Sequence, residues 1–67
     1  MSVSYKKLLH LLVERGIEPS EIAEMSGFSA NIMTRIKRNQ YISLESVEKL
    51  CHVLNCTVDE IIEFKKK

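Results

Sequence analysis

The residues that could do chemistry cluster between Ser29 and Tyr41. This stretch holds three basic residues, Arg35, Lys37 and Arg38, and no carboxylate. Asn31 and Thr34 stand among them, with Ala30 just before. An asparagine amide can donate and accept at once, the pattern adenine offers in the DNA major groove. An arginine fork matches guanine, and a threonine methyl can touch thymine. Such a set is fitted to read a duplex. It is also what a solvated face of an ordinary helix bundle would carry, so the residues alone leave both readings open.

Other chemistry lacks the residues it needs. The chain has 67 residues, two histidines and two cysteines. That is too short for a deep pocket, and no nucleophile–base pairing stands at a meaningful spacing, so an enzyme is not expected. Cys51 and Cys56 show no recognisable metal spacing, and His10 and His52 are not arranged as a ligand set with them, so neither a metal nor a cofactor is expected. A disulfide between the two cysteines is possible on count alone. Both positions read instead as small buried hydrophobes.

The elements that must position the basic stretch are two short helices and a tight turn. Glu21 to Ser26 form the first, Gly27-Phe28 the turn, and Ser29 onward the second. Gly27 suits a left-handed residue at a helix end, which glycine adopts without a Cβ clash. Ser29 is a good N-cap. Ala23 is small where two helices must approach. At about 100° per residue, Met33 and Ile36 face one way. Ala30, Asn31, Thr34, Arg35 and Arg38 face the other. The spacing of helix, glycine turn and capped helix favours DNA over a merely solvated face.

The sequence resembles the Cro/cI-type (XRE) helix-turn-helix family. The resemblance rests on Ile22-Ala23, Gly27-Phe28-Ser29, Met33, Ile36, Ser43-Leu44-Glu45 and Leu50 to Val58, in order, and spans roughly Tyr5 to Phe64. It implies a lambda-repressor-like DNA-binding domain whose second helix enters the major groove. Carried over position by position, base contacts fall to Ala30, Asn31 and Thr34, with Arg35 one step further round. Phosphate contacts fall to Ser29 and to the end of the helix and its loop: Lys37, Arg38, Asn39, Gln40 and Tyr41. Three departures stand out. Pro19 replaces a frequent glutamine and offers no donor. Leu12 and Lys37 replace an Arg–Glu pair seen in some relatives. Exchanging both members leaves no buried half-pair, which would cost several kcal/mol. Ala30 replaces a frequent polar glutamine and offers only a methyl contact.

Read in order, the chain is expected to be one all-α domain over residues 1–67, a compact five-helix bundle. The expected helices are Tyr5–Arg15, Pro19–Ser26, Ala30–Arg38, Leu44–Leu54 and Val58–Phe64, with Met1 to Val3 a loose tail or arm. Gly16, Asn39 and Asn55 suit helix ends. Ser4 and Ser43 suit N-caps, as does Thr57, which makes a capping box with Glu60. Lys65 to Lys67 would favour the last helix's negative end. The expected core is Leu8, Leu12, Ile22, Ala23, Met33, Ile36, Val47, Leu50, Cys51, Leu54 and Ile61, with Leu44 continuing the fourth helix's stripe. Leu9 and Val13 widen the first helix's apolar stripe beyond one core face. They would meet a C-terminal helix or, with Ile62 and Phe64, a second copy. The formal net charge is +1, so charge distribution rather than total points to a partner.

The expected function is a sequence-specific double-stranded DNA-binding regulator, a repressor acting as a homodimer on a palindromic site. The alternative is a protein-interaction module on the same fold, such as an antitoxin or phage-type adaptor. No signal-peptide core or membrane-length apolar run is present, so a cytoplasmic protein without a membrane partner is expected. No small-molecule effector is evident.

Overall fold

Apolar residues at three- and four-residue spacing wind four segments into helices. In the computed structural model, which describes residues 2–65, these are α1 (Lys6–Arg15), α2 (Pro19–Ser26), α3 (Ala30–Lys37) and α4 (Leu44–Leu54). Two short strands, β1 (Ser2–Ser4) and β2 (Glu63–Lys65), pair antiparallel near the two ends of the chain. The described residues span 33 × 23 × 18 Å.

One device ends all four helices. Gly16, Gly27, Asn39 and Asn55 take positive φ values of 67°, 71°, 55° and 52°. In each case the next amide reaches back five residues: Ile17 to Leu12, Phe28 to Ala23, Gln40 to Arg35 and Cys56 to Cys51, at 2.8–3.0 Å. This is the Schellman arrangement, which satisfies carbonyls that the helix end would otherwise orphan. After three of the four left-handed residues the next side chain packs against the core, namely Ile17, Phe28 and Cys56, whereas Gln40 stays exposed.

The core consists of Val3, Tyr5, Leu8, Leu12, Ile22, Ile36, Val47, Leu50, Leu54 and Ile61. Burying each large aliphatic side chain stabilises the fold by about 1.5–3 kcal/mol relative to exposure. Ala23, Met33 and Cys51, expected inside, are only half-buried at its margin. Leu44, expected to continue the stripe of α4, is 84% exposed. It is the first helical residue, beyond the reach of a packing neighbour.

The C-terminal segment corrects the five-helix expectation. Thr57 and Glu60 do make their capping contact, Thr57 N–H donating to Glu60 Oε1 at 3.1 Å. Yet only one 3-10 turn follows, Val58–Glu60, before the chain extends into β2. A seven-residue helix gains few hydrogen bonds for its costly nucleus. Pairing with β1 satisfies backbone groups along one edge of β2, and Ile61 just before it is wholly buried. Ser2–Ser4 is correspondingly a strand rather than a loose tail, and Val3 enters the core. Lys65 lies in β2 and not at a helix end; residues 66–67 and Met1 lie outside the described residues. Ser4 belongs to β1 too. Tyr5 takes the cap position of α1, and Ser4 Oγ only accepts a long 3.4 Å bond from Lys6 N–H.

Two polar ties hold α1 against the C-terminal half. An Arg15 guanidinium nitrogen donates to the Leu54 carbonyl at the end of α4. Lys7 Nζ donates to the Asp59 carbonyl at 3.2 Å. With no helix behind them, Leu9 and Val13 stay on the surface, Val13 at 79% exposure.

Candidate nucleic-acid interface

The site is built from α2, the turn at Gly27, and α3. α2 starts at Glu18, whose N–H donates to Glu21 Oε1 at 2.9 Å, with Pro19 at the first helical position. Pro19 needs no acceptor there. α2 packs on α3 and α4, and its Ile22 is buried in the core. The left-handed Gly27 then reverses the chain, and Ser29, at φ −79° and ψ 164°, launches α3.

Ser29 departs from its expected role. Its hydroxyl makes no capping bond. Ile32 and Met33 N–H bond to the Ser29 carbonyl, while the N–H groups of Ala30 and Asn31 meet no acceptor among the described residues. No acidic residue lies in the first turn of α3, unlike α2 with Glu21 and α4 with Glu45. α4 is also closed by Ser43, whose Oγ accepts from Ser46 N–H at 3.2 Å. α3 thus presents an open, positive N-terminus beside an unpaired hydroxyl, an arrangement suited to a phosphate oxygen.

The face of α3 matches the angular expectation. Ile36 is buried, with Ile32 and Met33 half-buried beside it. Ala30, Asn31, Thr34, Arg35 and Lys37 are exposed. Arg38 follows the helix as its cap residue rather than its last turn, and is exposed as well. Thr34 donates its hydroxyl proton to the Ala30 carbonyl at 3.0 Å, so toward solvent it offers a methyl group and an acceptor. Arg35 leans toward the following loop, its guanidinium 3.4 Å from the Tyr41 carbonyl. It borders a shallow groove shared with Ile32, Tyr41 and Ile42. Lys37 is exposed and Leu12 buried, as the paired exchange requires.

The loop after α3 is held by residues that no sequence pattern connects. Asn39 Oδ1 accepts the Tyr5 N–H at 3.0 Å, capping α1 from across the molecule. The Tyr5 hydroxyl donates to the Gln40 carbonyl at 2.6 Å. Burial raises the Tyr5 pKa above its ordinary value of 10.0, partly offset by a backbone hydrogen bond with Ile42. The loop of Asn39, Gln40 and Tyr41 is therefore fixed to α1 while its outer side stays exposed. The Asn39 carboxamide oxygen is committed to Tyr5, leaving its NH₂ to donate outward. The signal available in the sequence was a tyrosine opening a helix and an asparagine at a helix end, which nothing in their spacing links.

Cys51 lies on α4, and Cys56 and Asp59 lie in the segment that follows it. Cys51 and Cys56 are free thiols, half-buried rather than fully buried. Burial pushes the Cys56 thiol up, with Cys51 beside it adding to the effect. The Asp59 carboxyl is held down, chiefly by the Thr57 hydroxyl. No cluster of three or more metal-type ligands occurs among the described residues, and none of their helices is long and apolar enough to cross a membrane.

Comparison with known proteins bears on this geometry. The family model of the Cro/C1-type HTH DNA-binding domain matches residues 7–67. Among solved structures, the chain is similar to that described as "transcriptional regulator VanUg, Form II". The TM-score is 0.91 at 35% identity, covering 92% of this chain and 83% of that one. Comparison with curated proteins finds no match. A helix-turn-helix with an open, carboxylate-free second helix, a family match over nearly the whole chain, and a close structural likeness agree: the chain belongs to the Cro/C1-type helix-turn-helix DNA-binding domain family.

Proposed function

We propose that this protein is a sequence-specific transcriptional regulator, a repressor that binds a palindromic operator in double-stranded DNA as a homodimer in the cytoplasm. The observation that carries the reading is the exposed, carboxylate-free face of α3, backed by a fixed loop of donors. The description of VanUg as a transcriptional regulator supports it. Ala30, Asn31 and Thr34 meet base edges in the major groove, Arg35 meets a base or a phosphate, and Ser29, Lys37, Arg38, Asn39, Gln40 and Tyr41 meet phosphates. The whole chain acts as one DNA-binding unit. A two-fold dimer sets two recognition helices about 34 Å apart, one turn of DNA, and so reads a palindrome.

A protein-gripping adaptor or antitoxin is the second reading, favoured by the exposed apolar side chains of Leu9, Val13 and Phe64. One experiment separates the two. Selection from a pool of random duplexes returns a palindromic motif if the chain reads DNA. Binding to random duplexes then weakens steeply as salt rises, since each phosphate contact displaces a counterion. An unenriched pool and salt-independent binding would leave the adaptor reading in its place.

A further inference from the structure

Cys51 and Cys56 stand at the two positions that the left-handed end of α4 brings together. Asn55, at φ 52°, turns the chain back over the last turn of the helix. The Cys56 N–H then donates to the Cys51 carbonyl at 3.0 Å. In this type of helix ending the two side chains so joined commonly touch. The same positions hold Leu12 and Ile17 at the end of α1, and Ala23 and Phe28 at the end of α2. At the end of α4 they hold two thiols. A disulfide needs Cα atoms about 4.4–6.8 Å apart. Residues that share a main-chain hydrogen bond lie in that range, at about 5.5 Å in a paired sheet. Both cysteines pack against the core, yet both are half-buried, so neither residue is sealed from solvent. Burial, with Cys51 and Glu60 adding to it, holds the Cys56 thiol above its ordinary value of 9.0, and Arg15 acts the other way.

We propose that Cys51 and Cys56 form a reversible disulfide site, a redox lock on the turn that leaves α4. The co-reactant is a low-molecular-weight disulfide. One cysteine, as its thiolate, attacks a sulfur of that disulfide, displaces one small thiolate and leaves a mixed disulfide on the protein. The second cysteine attacks the first cysteine's sulfur and displaces the other small thiolate. The two protein thiols give up two electrons and two protons, and the small disulfide takes them and leaves as two thiols. The ring so closed contains Leu54, whose carbonyl accepts the Arg15 guanidinium bond from α1. It leads directly into Thr57 and the capped turn before the buried Ile61. Oxidation therefore fixes the joint where α1, α4 and the C-terminal segment meet. The fold already holds the two residues together, so the bond is favoured in the folded chain and in turn disfavours unfolding.

The test equilibrates the 67-residue chain with reduced and oxidised glutathione over a series of ratios, quenches by alkylation and counts thiols by intact mass. It is read at equilibrium because a raised thiol pKa slows exchange at neutral pH. The series is run in buffer and again in urea that unfolds the chain. The natural chain is expected to pass from two free thiols to none, losing two hydrogens and retaining no glutathione. The internal bond is expected to be favoured about tenfold or more in the folded chain over the unfolded one, and the oxidised chain to melt several degrees higher. C51S and C56S, with folding checked by thermal melts, each keep one thiol and are expected to accumulate the glutathione adduct that the natural chain resolves. A folded natural chain that keeps both thiols, accumulates the adduct or links two copies overturns the site. So does an internal bond no more favourable in buffer than in urea.

Discussion

At the scale of single residues, Tyr5 has a role out of proportion to its place at the start of α1. Its N–H and hydroxyl both reach the loop that follows the recognition helix. Tyr5→Phe keeps the buried ring and removes only the bond to the Gln40 carbonyl, so it should destabilise the fold by about 0.5–1.5 kcal/mol in urea titrations at pH 7. The tyrosine pKa is raised by folding, so the stability it contributes is fully present below pH 10.0 and is lost as pH rises through the folded value. The advantage of the natural chain over Tyr5→Phe should shrink above pH 10, and an advantage that grew there would contradict this account. The cysteines make the opposite case. Burial raises the Cys56 pKa, and no cluster of three or more metal-type ligands forms among the described residues, so replacing Cys51 and Cys56 with Ala or Val should leave DNA affinity unchanged under reducing conditions. A fluorescence titration showing a large loss with the fold intact would reveal a thiol role.

At the scale of elements, the recognition helix is held at both ends by left-handed residues, and Asn39 is the more informative of them. It supplies both the φ of 55° and the bond that caps α1. Asn39→Gly keeps the backbone preference and loses the cap, which should cost about 1 kcal/mol. Asn39→Ala loses both, and the left-handed strain adds about 1–2 kcal/mol. Thermal melts should therefore rank natural, Gly, Ala; equal stability for the two variants would mean that the backbone conformation matters less than the bond. The four helices, their ends and the outward face of α3 were legible in the sequence, because apolar spacing and left-handed Gly and Asn residues act locally. The Tyr5–Asn39 tie was not legible, because it joins residues far apart in the chain. The last element was misread for a related reason. Thr57 and Glu60 start a helix locally, but Glu63-Phe64-Lys65 and Ser2-Val3-Ser4 each alternate polar and apolar residues, a strand pattern that only their pairing makes decisive. NMR should find cross-strand contacts between Val3 and Phe64, and helical shifts through Phe64 would contradict the fold.

At the scale of the whole molecule, a net charge of +1 leaves little general attraction to DNA. Binding must come from how charge is placed: α2 is acidic with Glu18, Glu21 and Glu24 at or near it, whereas α3 and its loop carry Arg35, Lys37 and Arg38. Such a distribution favours selective over indiscriminate binding. Arg38→Ala, at the far end of α3, should weaken all duplexes alike and lower the salt slope by about one unit for each phosphate that the arginine holds. The central claim is that the outer face of α3 reads base sequence, and Asn31 tests it most directly. It is exposed in the first turn of α3, and its amide can meet an adenine edge. The measurement is the affinity of the natural chain and of Asn31→Ala for the selected site and for random duplex, at one salt concentration. The account predicts a loss of about 1–3 kcal/mol on the selected site, relaxed preference at one base pair in each half-site, and little change on random DNA. Equal losses on both would contradict it and place the reading face elsewhere.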